Sequence, residues 1–593
     1  MNLLTIVIMS AAILTVAYVT YGPCLARLLH LDPHRATPAV ELRDNVDFEP
    51  IEPKFLLSQH FSAIAAAGPI VGPILAGVAF GWLPALIWIL VGSVFIGGVH
   101  DLMSLTASIR HKARSIAEVV RDHMTRRSYV LFLSFVWIAL VYIIVAFTDL
   151  TARAFIGQQP LENGEIVSGP GIATSSLMYL VLPIIMGLLL RYTKLTVGRA
   201  TLVFLPLVGV SIWAGQLLPF DLEALLSVSR DDSRRIWDAL LLVYCIGAAV
   251  VPVWLLLQPR GHLGGYFLYV ALGGGALGLM LSGESINYPA FTGLEGLPIL
   301  NDSQPLVPML FITIACGACS GFHSLICSGT TSKQLARETD AKPIAYGAML
   351  LEGMVAVVSL CCVMKLAVDA PVLFNKDGVR EPPPNLVYAL GIGSFLEVLH
   401  IKAQYGVSFA LMAFTTFIYD TLDVCTRLGR YIIQELTGLH NRFGRWLGTV
   451  LTGGAPLYFL LQPGVGANGK ALPPVWKVFW NLFGASNQLL AALTLLGVTV
   501  WLWRTYRARW VWFVTGIPTV LMYMMSTWAL TSMTLPKFRD ASGSFQAPGD
   551  PVPWIGVVLL CLAALMLIEA IRVLVGPLPQ PPAPGAKGVP ATA

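Results

Sequence analysis

The stretch that decides the fold is His60-Phe-Ser-Ala-Ile-Ala-Ala-Ala-Gly68-Pro69-Ile-Val-Gly72-Pro73, with two Gly-Pro pairs four residues apart. It lies inside an apolar run long enough to cross a bilayer. Proline removes a backbone donor and clashes with the turn before it. In hydrocarbon the freed carbonyl and N–H groups are tolerated only where they are buried in protein or line a polar cavity. Two such pairs in one span predict a discontinuous helix rather than a plain proline kink. Discontinuous helices build the substrate and ion sites of secondary transporters.

The rest of the chain fits a membrane setting. Of 593 residues, 56% are hydrophobic and only 12% are Asp, Glu, Lys or Arg, with 54 Gly and 39 Pro. Soluble domains carry about 25% charged residues. A cytosolic enzyme, a disordered chain and a nucleic-acid binder are therefore excluded. The nine cysteines show no spacing of a secreted disulfide scaffold, and most sit inside apolar runs. Met1–Thr20 has no basic leader and reads as a retained span. Length and hydropathy predict an all-α polytopic protein of about fifteen spans, from 2–19 to 553–575. With the first span running outside to inside, the predicted inner loops hold 20 Lys and Arg in 79 residues, against 10 in 134 for the outer loops. That is the expected direction of the positive-inside rule.

A second interruption reads Ala315-Cys-Gly317-Ala-Cys-Ser320-Gly321-Phe-His323-Ser324. Its span, 305–328, runs opposite to the first. Two broken helices of opposite direction, each opening a five-span half, are what an inverted-repeat transporter needs. The expected organisation is an N-terminal span and loop (1–57), a first repeat (58–217), an inserted helix pair (218–304), a second repeat (305–500), a C-terminal pair (501–575) and a Pro- and Ala-rich disordered tail (576–593). In a later span Asn487 and Gln488 follow Gly484 and Ser486. Buried amides either bridge helices or line a pathway, and the sequence leaves both open.

Ionisable residues inside spans mark functional sites by default. Asp420 and Asp423 share one helix face at i, i+3 and suit a shared coupling proton. The alternative is pairing with Arg427 or Arg430 one turn on. Asp101, beside His100, and Glu352 are further coupling candidates. Gly464–Ala471 nearly matches a phosphate loop, but it ends in Ala where Ser or Thr is required and no strand precedes it, so it is rejected. Cys316, Cys319 and His323 share a face, but close packing of small residues explains them better than a metal. No metal and no cofactor are expected.

Val46–Pro50, HFSAIAAAGPIVGP (60–73), GVHD (98–101), SGFHSLICSGTTSKQLAR (320–337), TTFIYDTLDVCTRLGRYIIQE (415–435) and NLFGASNQLL (481–490) run in order along nearly the whole chain. This set resembles the carbon starvation protein A family of bacterial inner-membrane transporters. One position departs: Gln59 stands where the family often has the first of two histidines, which puts a histidine-pair role in doubt. The resemblance implies uptake of peptides or of pyruvate, driven by protons, on a five-plus-five scaffold related to the amino acid–polyamine–organocation superfamily. The partners are then a small-molecule substrate, protons and the bilayer. The substrate cradle is expected at Gly68, Pro69, Gly72, Pro73, Gly317, Ser320 and Ser324, with hydrogen bonds from His60, His323, Asn487 and Gln488. A channel would show a repeated pore loop or charged ring. A membrane enzyme would need a metal cluster or an activated nucleophile. The channel pattern is absent, and for an enzyme only the weak Cys316, Cys319 and His323 set qualifies.

Overall fold

The computed structural model describes residues 2–44, 48–161, 165–252, 254–300, 302–462, 474–539, 543–549 and 551–576. The phosphate-loop-like stretch and nearly all of the expected disordered tail lie outside these residues. The described residues are mostly helical, with one small antiparallel hairpin pairing Gln158–Pro160 with Ile166–Ser168. The helices that concern the site are α1 (Leu3–Leu28), α2 (Pro53–Ile64), α3 (Gly68–Phe80), α4 (Trp82–Arg110), α5 (Arg126–Ala154), α6 (Gly169–Tyr192), α7 (Val197–Leu217), α8 (Arg230–Val250), α9 (Leu257–Ser282), α10 (Leu306–Thr313), α11 (Gly321–Gly329), α12 (Glu338–Met364), α13 (Pro384–Glu397), α14 (Ala403–Thr437), α15 (Arg442–Leu460), α16 (Val475–Tyr506), α17 (Trp512–Phe538) and α18 (Pro551–Val575).

Among the described residues, eleven helices are long and apolar enough to cross a membrane, or up to twelve if the bent α2–α3 pair is one span. About fifteen were expected. The difference lies in three segments that are helical but fail the length or apolarity requirement. α8 opens on Arg230, Asp231, Asp232, Arg234 and Arg235, α15 is short and rich in Gly and polar residues, and 305–328 divides into α10 and α11 with eight and nine residues.

Helix starts follow local chemistry. Thr125, Ser168, Ser229 and Asn441 each accept a backbone N–H from the first turn of α5, α6, α8 and α15. Such caps satisfy donors that the helix cannot. Burial ranks the helices. The apolar window of α16 is 100% buried and that of α14 is 94% buried, whereas α18 is only 22% buried. α14 and α16 therefore form the centre, and α1, α7 and α18 present exposed Ile, Val, Leu and Trp to the surroundings. One buried carboxylate ties three helix ends. Asp149 of α5 meets Arg234 of α8 at 3.0 Å and accepts the Trp476 N–H of α16 at 2.9 Å.

Candidate functional site

Both expected interruptions are present, the first displaced from the residues that announced it and the second lying largely within them. The first break is Ala65–Ala67, where α2 and α3 meet at a 46° bend. Gly68 and Pro69 open α3, and Gly72 and Pro73 are helical within it. This corrects the expectation of a break over Gly68–Pro73. A proline in the first helical turn lacks an N–H that would be unpaired anyway, so the first Gly-Pro pair starts the second half-helix instead of unwinding it. The second break is Ile314–Ser320, which places Gly317 and Ser320 in unwound chain and His323 and Ser324 in the first turn of α11.

The two broken spans run antiparallel. The entry to the first joins the exit of the second, where Ile51 N–H donates to Gln334 O at 3.2 Å. The exit of the first joins the entry to the second, where Leu297 N–H donates to Ala79 O at 2.7 Å. Their breaks touch. A Cβ on Gly68 would overlap Cys316, and one on Gly72 would lie 2.5 Å from the Thr313 carbonyl oxygen. On the other side, Gly92 of α4 approaches Ala318 so closely that a Cβ there would come within 2.6 Å of the alanine methyl. Small residues at these points are what let backbone meet backbone.

The polar groups freed by the second break find partners on α4 and α16. Trp88 Nε1 donates to the Ile314 carbonyl at 3.2 Å, and Gln488 Nε2 donates to the Cys319 carbonyl at 3.3 Å. Asn487 Oδ1 accepts the Phe322 N–H at 2.9 Å, while its Nδ2 donates to Ser320 Oγ at 3.0 Å. Of the two readings left open by the sequence, the bridging one describes Asn487. Gln488 Oε1 is buried without a partner. Ser324 donates to the Gly321 carbonyl at 2.7 Å and meets Thr494 at 3.1 Å.

Beside the second break lies a fully buried array of alternating acid and imidazole. His100 Nδ1 is 2.7 Å from Asp101 Oδ1, His323 Nδ1 is 2.9 Å from Asp101 Oδ2, and His323 Nε2 is 3.2 Å from Glu352 Oε2. His323 thus faces Asp101 and Glu352. Cys316 contacts Ser320 and Asn487. Among the described residues no group of three or more His, Cys, Asp and Glu could hold a metal ion. A π-bulge over Ser93–Gly97 precedes His100 and Asp101 in α4.

Asp420 and Asp423 form a second polar centre, on α14, next to the last turn of α2. They do not pair with Arg427 or Arg430, whose guanidiniums donate to the Ala248, Val251 and Ala249 carbonyls at the end of α8. Their partner is Arg260 of α9. Its Nε donates to Asp420 Oδ1 at 2.6 Å, and its Nη1 is paired with Asp423 and Tyr244. Tyr244 donates to Asp423 Oδ2 at 2.9 Å, and Ser62 of α2 donates to Asp420. Sequence reasoning missed Arg260. The signal was an arginine next to Pro259 and Gly261, which read as a short inner loop, whereas the residue is fully buried within α9.

Two cavities approach the breaks from opposite faces. One of about 190 Å³ is lined by Leu75, Leu297, Trp480 and Asn481 and ends on Thr313 at the second break. The other, of about 480 Å³, lies on the face bearing Arg43 and Arg191 and reaches Gln59. Gln59 also lines a small inner cavity of about 20 Å³ with His60, Thr331 and Asp420. His60 Nδ1 is held at 2.8 Å from Thr331 Oγ1, and its Nε2 has no partner.

Many apolar helices, two of them interrupted and opposed, with buried charge at the interruptions, define a multi-pass membrane protein. The chain belongs to the carbon starvation protein CstA family, whose model matches residues 2–379 and 372–529. It is 31% identical to the peptide transporter CstA of Bacillus subtilis, over 96% of this chain and 97% of that one. It is 30% identical to the peptide transporter CstA of Helicobacter pylori strain J99, over 91% and 83%. It is 30% identical to the pyruvate/proton symporter BtsT of Escherichia coli, over 89% and 81%. Among solved structures, a manganese transporter of Eremococcus coleocola aligns with a TM-score of 0.45 at 13% identity, over 90% of this chain and 98% of that one.

Proposed function

We propose that this chain is a secondary transporter, not an enzyme, and that it couples inward proton flow to uptake of peptides or pyruvate across the bacterial inner membrane during carbon starvation. The names of its relatives, peptide transporter and pyruvate/proton symporter, support this reading. The observation that carries it is the contact of two antiparallel broken spans, break against break, between cavities on opposite faces. An unwound segment at mid-depth is costly unless it serves a site. An antiparallel pair supports a five-plus-five core over 58–217 and 305–500, in which one half rocks against the other.

In this mechanism the substrate lies beside the two breaks, Ala65–Ala67 and Ile314–Ser320, with His60 and Gln488 offering unpartnered polar atoms. The coupling proton is carried within the buried acids Asp101, Glu352, Asp420 and Asp423. Each of the four is paired with, or lies beside, a buried His or Arg. The test is uptake of labelled pyruvate and of a labelled dipeptide into proteoliposomes, with and without an inward pH gradient. Accumulation above the external concentration only when the gradient is present supports the proposal. Equilibration that ignores the gradient overturns it.

A further inference from the structure

Arg260 heads the fully buried side chains by volume. Every part of its guanidinium is engaged: Nε on Asp420, Nη1 on Asp423 and Tyr244, Nη2 on the Tyr419 carbonyl at 3.1 Å. One cation therefore answers two carboxylates, and Asp423 Oδ1 has no hydrogen-bond partner. Buried charge sets are costly unless balanced, so a surplus negative charge here calls for a role. Asp420 is the member of the trio that faces the inner cavity, which Gln59 joins to the larger one on the basic face. The first turn of α11 is already capped by Asn487. That helix end is therefore not a free receptor for an anion.

We infer that Arg260 recognises the carboxylate of the transported substrate, and that Asp420 yields its place on the guanidinium when it takes up the co-transported proton. The inference rests on the proton-coupled reading above. Charge balances through the step. Before it, Arg260, Asp420 and Asp423 sum to one negative charge. A proton from the aqueous side forms an O–H bond on Asp420, its ion pair with Nε breaks, and the substrate carboxylate takes the vacated edge. The sum is again one negative charge. Substrate without the proton would place three carboxylates on one buried guanidinium. A planar fork of N–H donors matches a carboxylate in two parallel hydrogen bonds, which is why arginine suits the exchange.

The protonated Asp420 keeps Ser62 as a partner, now as its acceptor. The other titratable groups around the centre are Asp423 and Tyr419 from α14, Tyr244 and Cys245 from α8, Tyr179 from α6 and His60 from α2. The inner cavity has room for about one water. Admitting a substrate therefore requires α2, which carries both Ser62 and His60, to move about the break at Ala65–Ala67.

The test uses full-length protein in proteoliposomes with four probes: pyruvate, dialanine, pyruvamide and dialanine amide. The two acids separate a small-acid substrate from a peptide terminus, and the amides lack the carboxylate. The expected result for the parent is gradient-driven accumulation of at least one acid and not of its amide. Asp420→Asn keeps the Arg260–Asp423 pair and removes the surplus negative charge. It is expected to retain acid-for-acid counterflow while accumulation falls to the level seen without a gradient. Arg260→Lys, which preserves charge but not the fork, is expected to weaken acid binding about tenfold or more, as read by thermal shift. If the parent accumulates an acid and Asp420→Asn does so equally well, or if Arg260→Lys binds the acid as tightly as the parent, this inference fails and the transport reading stands. A parent that ignores the gradient overturns both.

Discussion

Asn487 Oδ1 accepts the Phe322 N–H at 2.9 Å, fastening the most deeply buried helix to the first turn of the half-helix after the second break. Replacing Asn487 by Leu leaves that donor and the Ser320 hydroxyl without their amide partner. An orphaned buried group costs about 1–3 kcal/mol. Asn487→Leu is expected to lower the thermal midpoint in detergent and to abolish uptake. Gln488→Leu loses one long bond to the Cys319 carbonyl and removes an unpartnered oxygen, so it is expected to melt closer to the parent. A fluorimetric melt in which the two variants change places would contradict the capping role.

The contact between the breaks makes a steric prediction. A Cβ on Gly68 would overlap the Cys316 side chain, and one on Gly72 would meet the Thr313 carbonyl at 2.5 Å. Overpacking typically costs about 1–3 kcal/mol. Gly68→Ala is expected to lose transport and to regain it when combined with Cys316→Gly, because the clash is between side chains. Gly72→Ala meets backbone and is expected to find no rescue by a side-chain change at 316. Uptake by the single and double variants measures this directly.

These contacts also show how much of the molecule could be read beforehand. The two Gly-rich interruptions and their opposite sense were legible because proline and glycine act locally on the backbone. Their boundaries were not. Gly68 and Pro69 read as a break but serve as a helix start, because proline in a first helical turn and proline in a break look alike in sequence. Arg260 was invisible for a different reason. It sits 160 residues from Asp420, and its neighbours Pro259 and Gly261 imitate a loop. Arg427 and Arg430, close in sequence to both aspartates, were the natural partners until the end of α8 claimed them. The pairing of Asp101 with His323 spans 222 residues, although each residue had been singled out alone.

The acid–imidazole array separates two kinds of buried carboxylate. Asp101 bridges His100 and His323 at 2.7 and 2.9 Å, whereas Glu352 faces one imidazole only, its Oε2 3.2 Å from His323 Nε2 without a hydrogen bond. Removing one partner from a buried hydrogen-bonded pair costs about 3–5 kcal/mol. Asp101→Asn is therefore expected to depress the thermal midpoint and the yield strongly. Glu352→Gln exchanges a poorly satisfied carboxylate for a neutral amide of the same shape, and its midpoint is expected to equal or exceed the parent's. A parallel melt of both variants decides it: a Glu352→Gln protein less stable than Asp101→Asn would sink the assignment.

On the basic face, His111 and His123 place their Nε2 atoms 2.8 Å apart, in the loop after α4 and the short helix Ile116–His123. Burial pushes both imidazoles down, and His111 and Arg504 lower His123 further, to about 4 from an ordinary 6.5, with Asp122 opposing. Above pH 6.5 the pair is neutral in the folded and unfolded chain alike, and it contributes no pH dependence. As pH falls from 6.5 towards 4, the unfolded chain binds the proton first, so stability is lost across that window. His123→Gln removes the more strongly lowered of the two imidazoles. The parent is therefore expected to lose more of its thermal midpoint between pH 7 and pH 5 than His123→Gln does. Identical slopes in the two melts would mean that folding does not lower His123.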